Sequence, residues 1–280
     1  MTGSPRAVVS FDLDGASPRL LTDMGILPTP SDAPDPVLVE AVPRIVELCE
    51  RADCRATLFV VGRTLDGLDR EVFDGIDRHE LGNHTHTHPD RFGTLPPARM
   101  REEVHKAHEA IRNRLGSEPV GFRAPDYSYS PRSLAVLAEQ GYIYDSSLLR
   151  CVLPPYISRE GIHRGGAPFV QDGIVELPIL SSGFPWLPVN GTTMLAFGLE
   201  WYKNRLARRA DDGGPLLVNF HARDLVEGVS QRIIQQRFRI RPRETSVNAV
   251  EEAVSHLAAT YEIVTLRELA DELALSKTDV

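Results

Sequence analysis

Short apolar runs alternate with helix-spaced segments along nearly the whole chain, and this alternation limits the fold more than any other feature. Ala7–Phe11, Ala56–Val61, Pro119–Phe122, Tyr142–Tyr144, Ile174–Ile179, Leu216–Phe220 and Glu262–Thr265 read as short buried strands. Another ends in the run His79-Glu80-Leu81-Gly82-Asn83. Between them the spacing predicts helices over Val37–Cys49, Leu65–Ile76, Pro97–Leu115, Ser133–Glu139, Leu199–Ala210 and Val247–Ala259, with a last one from Leu266. Strands of this kind separated by helices make a parallel sheet covered on both faces. Seven or eight such units suit a barrel better than an open sheet. The predicted fold class is α/β, a single-domain barrel over residues 1–280. Three irregular stretches interrupt it: a Pro-rich loop at 16–36, a Gly- and Pro-rich insert at 146–173 and a basic loop at 228–245.

A chain of 280 residues buries enough surface to fold without staples, roughly three quarters of what the unfolded chain exposes. Its three cysteines, Cys49, Cys54 and Cys151, have no zinc spacing and read as reduced thiols. Asp and Glu outnumber Lys and Arg by 39 to 31, a net charge of −8 that argues against nucleic acid or an anionic membrane as the main partner. No apolar run approaches the ~20 residues of a membrane span, and residues 1–10 lack a signal-peptide pattern, so a cytoplasmic location is expected.

In parallel α/β folds chemistry gathers at the carboxyl ends of the strands. After the first strand come Asp12 and Asp14, whose spacing of two puts both carboxylates on one side of an extended chain. Asp-Gly is also a common turn pair, which is the plain alternative. After the third comes His84-Thr85-His86-Thr87-His88. On one helical turn His84 and His88 would share a face and His86 would point elsewhere; in an extended segment all three would share one. Two imidazoles and one carboxylate leave open positions on zinc, the pattern of catalytic rather than structural sites. Asp14, His84 and His88 supply that set, with Asp12 as an unligated neighbour. After the fourth strand Arg123 could hold one aspartate through a bidentate bond and keep it ionised. After the seventh, His221 could serve as a general acid or as a satisfied core histidine.

These elements in this order resemble the polysaccharide deacetylases of the NodB-homology type, carbohydrate esterase family 4. Ser10-Phe11-Asp12-Leu13-Asp14-Gly15 stands for that family's first motif, with Leu13 separating acids that are adjacent in its usual form. His84–His88 matches its His-(Ser/Thr)-x-x-His motif, Arg123-Ala124-Pro125-Asp126 its Arg-x-Pro-Tyr motif, and Phe220-His221 its final strand. The resemblance runs from about residue 6 to residue 270 and includes Tyr144-Asp145-Ser146-Ser147. It implies a distorted (β/α)7 barrel that removes acetyl groups from N-acetylhexosamines with a metal. By the same resemblance Asp12 is the base, Asp14, His84 and His88 are the ligands, His221 is the acid and Arg123 tunes the base. Asp126 replaces the Tyr whose backbone N–H helps bind the oxyanion. No clear Asp-Trp pair orients the acid, and Asp145, Glu176 and Asp224 are the candidates for that role.

The expected function is therefore metal-dependent hydrolysis of an N-acetyl amide on an amino-sugar-containing substrate, which is an oligosaccharide, a lipid- or nucleotide-linked sugar or a sugar-bearing metabolite. One divalent ion is expected, zinc first, with Co2+, Mn2+, Ni2+ or Fe2+ as alternatives. A cyclic-amide hydrolase and a catalytically silent sugar-binding barrel are the rival readings. Trp186, Tyr127 and Asp145 are candidate substrate contacts. The five arginines between Arg232 and Arg243 read either as a solvated face or as a lid for an anionic substrate. The chain is expected to act without nucleic acid or an integral membrane segment, and it could form a homo-oligomer.

Overall fold

Residues 8, 10 and 12 of the first strand are Val, Ser and Asp, and residues 217, 219 and 221 of its neighbour are Leu, Asn and His. Because side chains alternate along a strand, each series lines one face. That face runs from apolar at the strand start to ionisable at its carboxyl end. The computed structural model, which describes residues 5–17, 19–26, 34–151, 166–183 and 186–275, bears this out.

The strands are β1 (Arg6–Leu13), β2 (Thr57–Val60), β3 (Glu80–Asn83), β4 (Gly121–Phe122), β5 (Tyr144–Asp145), β6 (Phe169–Gln171), β7 (Ile174–Glu176), β8 (Leu216–His221) and β9 (Glu262–Ile263). They form one curled sheet in the order β6-β7-β5-β4-β3-β2-β1-β8, with β9 beside the start of β1. Every pairing is parallel except the β6–β7 hairpin. No strand closes the gap between β7 and β8 among the described residues. The irregular chain after β7 crosses it instead: Leu180 N–H donates to Leu217 O at 3.0 Å, and Asn190 bridges Asn219 in parallel. The result is a distorted barrel with a loose seam.

Val8, Tyr144, Val175 and Leu217 pack at the start of the strands with Leu266, Leu269 and Ala270 of the helix Leu266–Leu275, which plugs that end. The opposite face of β1, with Ala7, Val9, Phe11 and Leu13, packs with Leu38, Val42 and Ile45 of the helix Pro36–Arg51. Asp35 caps that helix, accepting from Val37 N and Leu38 N, and also takes Ala16 N–H at 2.7 Å. Gly15 has φ 51°, and a Cβ there would collide with the Asp35 carboxylate, so this glycine lets the cap pin the loop behind Asp14.

Three expectations need correction. The helix expected over Leu65–Ile76 is a series of short 3-10 turns, Gly62–Leu65, Arg70–Phe73 and Ile76–Arg78. Asp66, Asp69 and Asp74 stand in extended backbone between them and Gly75 is left-handed, so the aspartates and glycines break each turn before it propagates. The insert at 146–173 contains β6. The basic loop carries helical turns at Val229–Ile233 and Ile234–Phe238. Residues 27–33 of the Pro-rich loop and 152–165 of the insert lie outside the described residues. No helix among the described residues is long and apolar enough to cross a membrane.

Candidate active site

The buried end of the barrel is organised around Arg123, which follows β4 and is fully shielded from solvent. The two hydrogens of Arg123 Nη1 serve Asp12 Oδ1 at 2.9 Å and Asn219 Oδ1 at 2.8 Å, with Ser10 Oγ 3.0 Å from the same nitrogen. Its Nε and Nη2 are taken by Ser146 O and Ser146 Oγ, both at 3.0 Å. The expected bidentate fork on Asp12 is therefore a single bond, because the other nitrogens are spent on Ser146. The guanidinium also lies 4.1 Å over the Phe59 ring.

Asp12 takes a second bond from Asn219 Nδ2 at 3.0 Å on Oδ2. Burial alone would raise its pKa, but Arg123 first, then His84 and His221, outweigh it and hold the carboxyl well below its usual range. Asp12 and His221 are partners in the β1–β8 register, and His221 Nε2 stands 3.7 Å from Asp12 Oδ2. On its far side His221 Nδ1 is 3.8 Å from Asp224 Oδ2, which accepts the His221 N–H at 2.9 Å. Asp224, rather than Asp145 or Glu176, is thus the carboxylate beside the imidazole. Gly191 makes room for it, since a Cβ there would meet Asp224 Oδ2 at 2.3 Å.

The histidine segment is neither a helical turn nor extended. Thr85 and His88 take left-handed backbone with φ 66° and 55°, which brings the His84 and His88 rings to 5.2 Å edge to face. His86 turns away, its ring packed beside Gly62 and Ala107. Glu103, buried on the helix Pro97–Leu115, accepts from His86 N, Thr87 N and Thr87 Oγ1 at 2.8–3.1 Å and holds the turn.

The carbonyl oxygen of Arg123 lies 2.7 Å from His84 Nδ1, so the ring carries its proton there and keeps Nε2 as the lone-pair donor. Burial, then the nearby His88, push the His84 pKa down to about 4, which keeps the ring in its neutral, ligating form. Asp14 Oδ1 and His88 Nδ1 are buried without a hydrogen-bond partner. One carboxylate and two imidazoles, with orphaned donor atoms on Asp14 and His88, fit a divalent ion chemically. No three such side chains are already gathered to hold one among the described residues, and Asp14 Oδ2 is instead bonded by Arg223 Nη1.

The remaining candidates divide. Asp126 sits with φ 52° and an exposed side chain in the loop after Arg123, within electrostatic reach of Arg237. Tyr127 has its hydroxyl bonded by Asn219 Nδ2 at 2.7 Å. Trp186 is half-buried with the Arg150 guanidinium 4.2 Å over its ring. Asp145 is fully buried beneath the site, bonded by Ser147 Oγ, so it is no substrate contact. Ser147 in turn accepts Ala124 N–H at 2.7 Å and so anchors the loop after Arg123. Asn219 was missed in the sequence, although its place two residues before His221 on one strand was the available signal. Glu103 gave no signal of its own.

The sequence profile of the polysaccharide deacetylase family matches residues 29–144. A peptidoglycan deacetylase from Helicobacter pylori is 29% identical over 122 residues, 43% of this chain and 41% of its own length. The chain spans less than half the length of the curated relatives it matches. Among solved structures, a Mycobacterium smegmatis protein assigned to the polysaccharide deacetylases superposes with a TM-score of 0.70 at 20% identity, covering 99% of this chain and 96% of its own. A carbohydrate esterase family 4 pseudoenzyme from Bacillus anthracis gives 0.56 at 15% identity, covering 97% of this chain and 67% of its own. Motifs, barrel and matched profile all point the same way: residues 29–144 match the polysaccharide deacetylase profile, and the fold is similar to that of carbohydrate esterase family 4 proteins.

Proposed function

We infer that the chain is a metal-dependent amide hydrolase that removes an N-acetyl group from an amino-sugar-containing substrate. The observation that carries this reading is one carboxylate, Asp12, fixed in its ionised form by Arg123 and Asn219 and set 3.7 Å from the imidazole of His221. A base and an acid held side by side suit the addition of water across a C–N bond.

A divalent ion held by Asp14, His84 and His88 would polarise the amide carbonyl and lower the pKa of water. Asp12 takes a proton from the attacking water, whose oxygen bonds to the carbonyl carbon. Arg123 keeps Asp12 ready by favouring its charged form. By the family resemblance, the backbone N–H of Asp126 would donate to the oxyanion that develops. His221, oriented by Asp224, gives its proton to the departing nitrogen, and the products are acetate and a free amine. The Trp186 ring, one face of which carries the Arg150 guanidinium, would offer its other face to a sugar.

The test is a panel of N-acetylated sugars, from monosaccharide to chito-oligosaccharide and nucleotide-linked sugar, incubated with zinc-loaded protein. Acetate release from at least one member is expected. Ring opening of cyclic amides with no acetate from any sugar would overturn the reading in favour of the imide-hydrolase rival.

A further inference from the structure

Arg223 has no part in the chemistry above, yet its guanidinium reaches into the centre of the site. It follows β8 in the turn Ala222–Leu225, its side chain is 14% exposed, and its Nη1 bonds Asp14 Oδ2. Asp14 is itself only 2% exposed, and its second oxygen, Oδ1, is buried with no partner. An ionised carboxylate so deeply buried needs a counter-charge, and Arg223 is the cation bonded to it. The adjacent Asp224 is already committed to the His221 N–H and to Ser230 Oγ.

We propose that Arg223 is a tethered counter-cation for Asp14, which stabilises the metal-free protein and weakens divalent-cation binding at Asp14, His84 and His88. The inference rests on the metal-dependent reading above. A fixed positive charge on one oxygen of a ligating carboxylate repels a doubly charged ion approaching the other oxygen, and a buried site screens that repulsion poorly. The bond also turns Asp14 toward Arg223, in keeping with the lack of a gathered three-donor set among the described residues. The site is thereby poised to exchange one cation for another.

The test compares wild type, Arg223→Gln and Arg223→Lys by zinc titration against a chelating indicator, with melting curves in EDTA and in excess zinc. Arg223→Gln should bind zinc at least tenfold more tightly than wild type, melt lower in EDTA and gain more from zinc. Arg223→Lys keeps the charge without the planar fork, so its affinity should stay within about threefold of wild type. If Arg223→Gln does not fold without metal, the lysine variant alone decides: a large loss of zinc affinity there would make Arg223 an orienting fork and overturn the proposal. Unchanged or weaker binding by Arg223→Gln overturns it as well. Tight binding by wild type with no acetate release would count against the proposed function and not against Arg223; no binding by any of the three would defeat both.

Discussion

Asp12 and His221 are cross-strand partners in adjacent strands, with His221 Nε2 3.7 Å from Asp12 Oδ2. The two side chains therefore share one rigid platform, with Arg123 and Asn219 bonded to Asp12 on one side and Asp224 beside His221 on the other.

Arg123 makes the first prediction. Its side chain and that of Asp12 are 1% and 4% exposed, so removing the cation strands a buried carboxylate. Arg123→Met should lower unfolding free energy by about 3–5 kcal/mol in urea titration at pH 7. A loss under about 1 kcal/mol would mean that the pair contributes little to the fold.

Much of this candidate site was legible in the sequence, because Asp12, Asp14, His84, His88, Arg123 and His221 each lie at or just after the end of a strand expected from the sequence. A strand end locates a residue in a parallel α/β fold without knowledge of its neighbours. What stayed hidden depends on neighbours. The adjacency of β1 and β8, which makes His221 a partner of Asp12, is set by topology over more than 200 residues of sequence. Glu103 and Arg223 are ordinary charged residues until the turn or the carboxylate they meet is known. The failed helix at Leu65–Ile76 has a local cause, the aspartates and glycines that interrupt it.

Glu103 provides a second test. Its carboxylate satisfies two backbone N–H groups and a hydroxyl in the His84–His88 turn. Glu103→Ala leaves those donors unpaired, at a cost of about 2 kcal/mol or more. Zinc affinity should fall by roughly 10–100-fold, the usual effect of losing a residue that orients ligands. Unchanged affinity in a titration would show that the turn holds itself.

The paired carboxyls Asp145 and Glu176 predict a pH dependence of stability. They are register partners on β5 and β7, both fully buried. Burial raises the Asp145 pKa to about 6, and burial with the Asp145 charge raises Glu176 well above its ordinary value. The folded pair keeps a proton that unfolded carboxyls release near pH 4, so this contribution to stability declines as pH rises from about 4 through 6. Glu176→Gln supplies an amide N–H in place of that proton. It should match wild type near pH 4 and exceed it at pH 7 by roughly 1–3 kcal/mol. Parallel stability curves would rule out a shared proton.

His221 should matter in proportion to the basicity of the leaving group. An amine cannot depart unprotonated, whereas an activated phenolate can. His221→Ala should lower kcat on an N-acetyl sugar by about 10²–10⁴-fold with metal content unchanged, and much less on an activated acetate ester. Equal losses on both substrates would remove the acid role.

The central claim is that Asp12 acts as the base beside a metal held by other residues. Its most direct measurement is acetate release from an N-acetylated chito-oligosaccharide by zinc-loaded wild type and Asp12→Asn, with bound zinc quantified in both. The account predicts equal zinc, acetate from wild type and turnover at least 10²-fold lower in the variant. Full turnover by Asp12→Asn, or loss of its zinc, would contradict it.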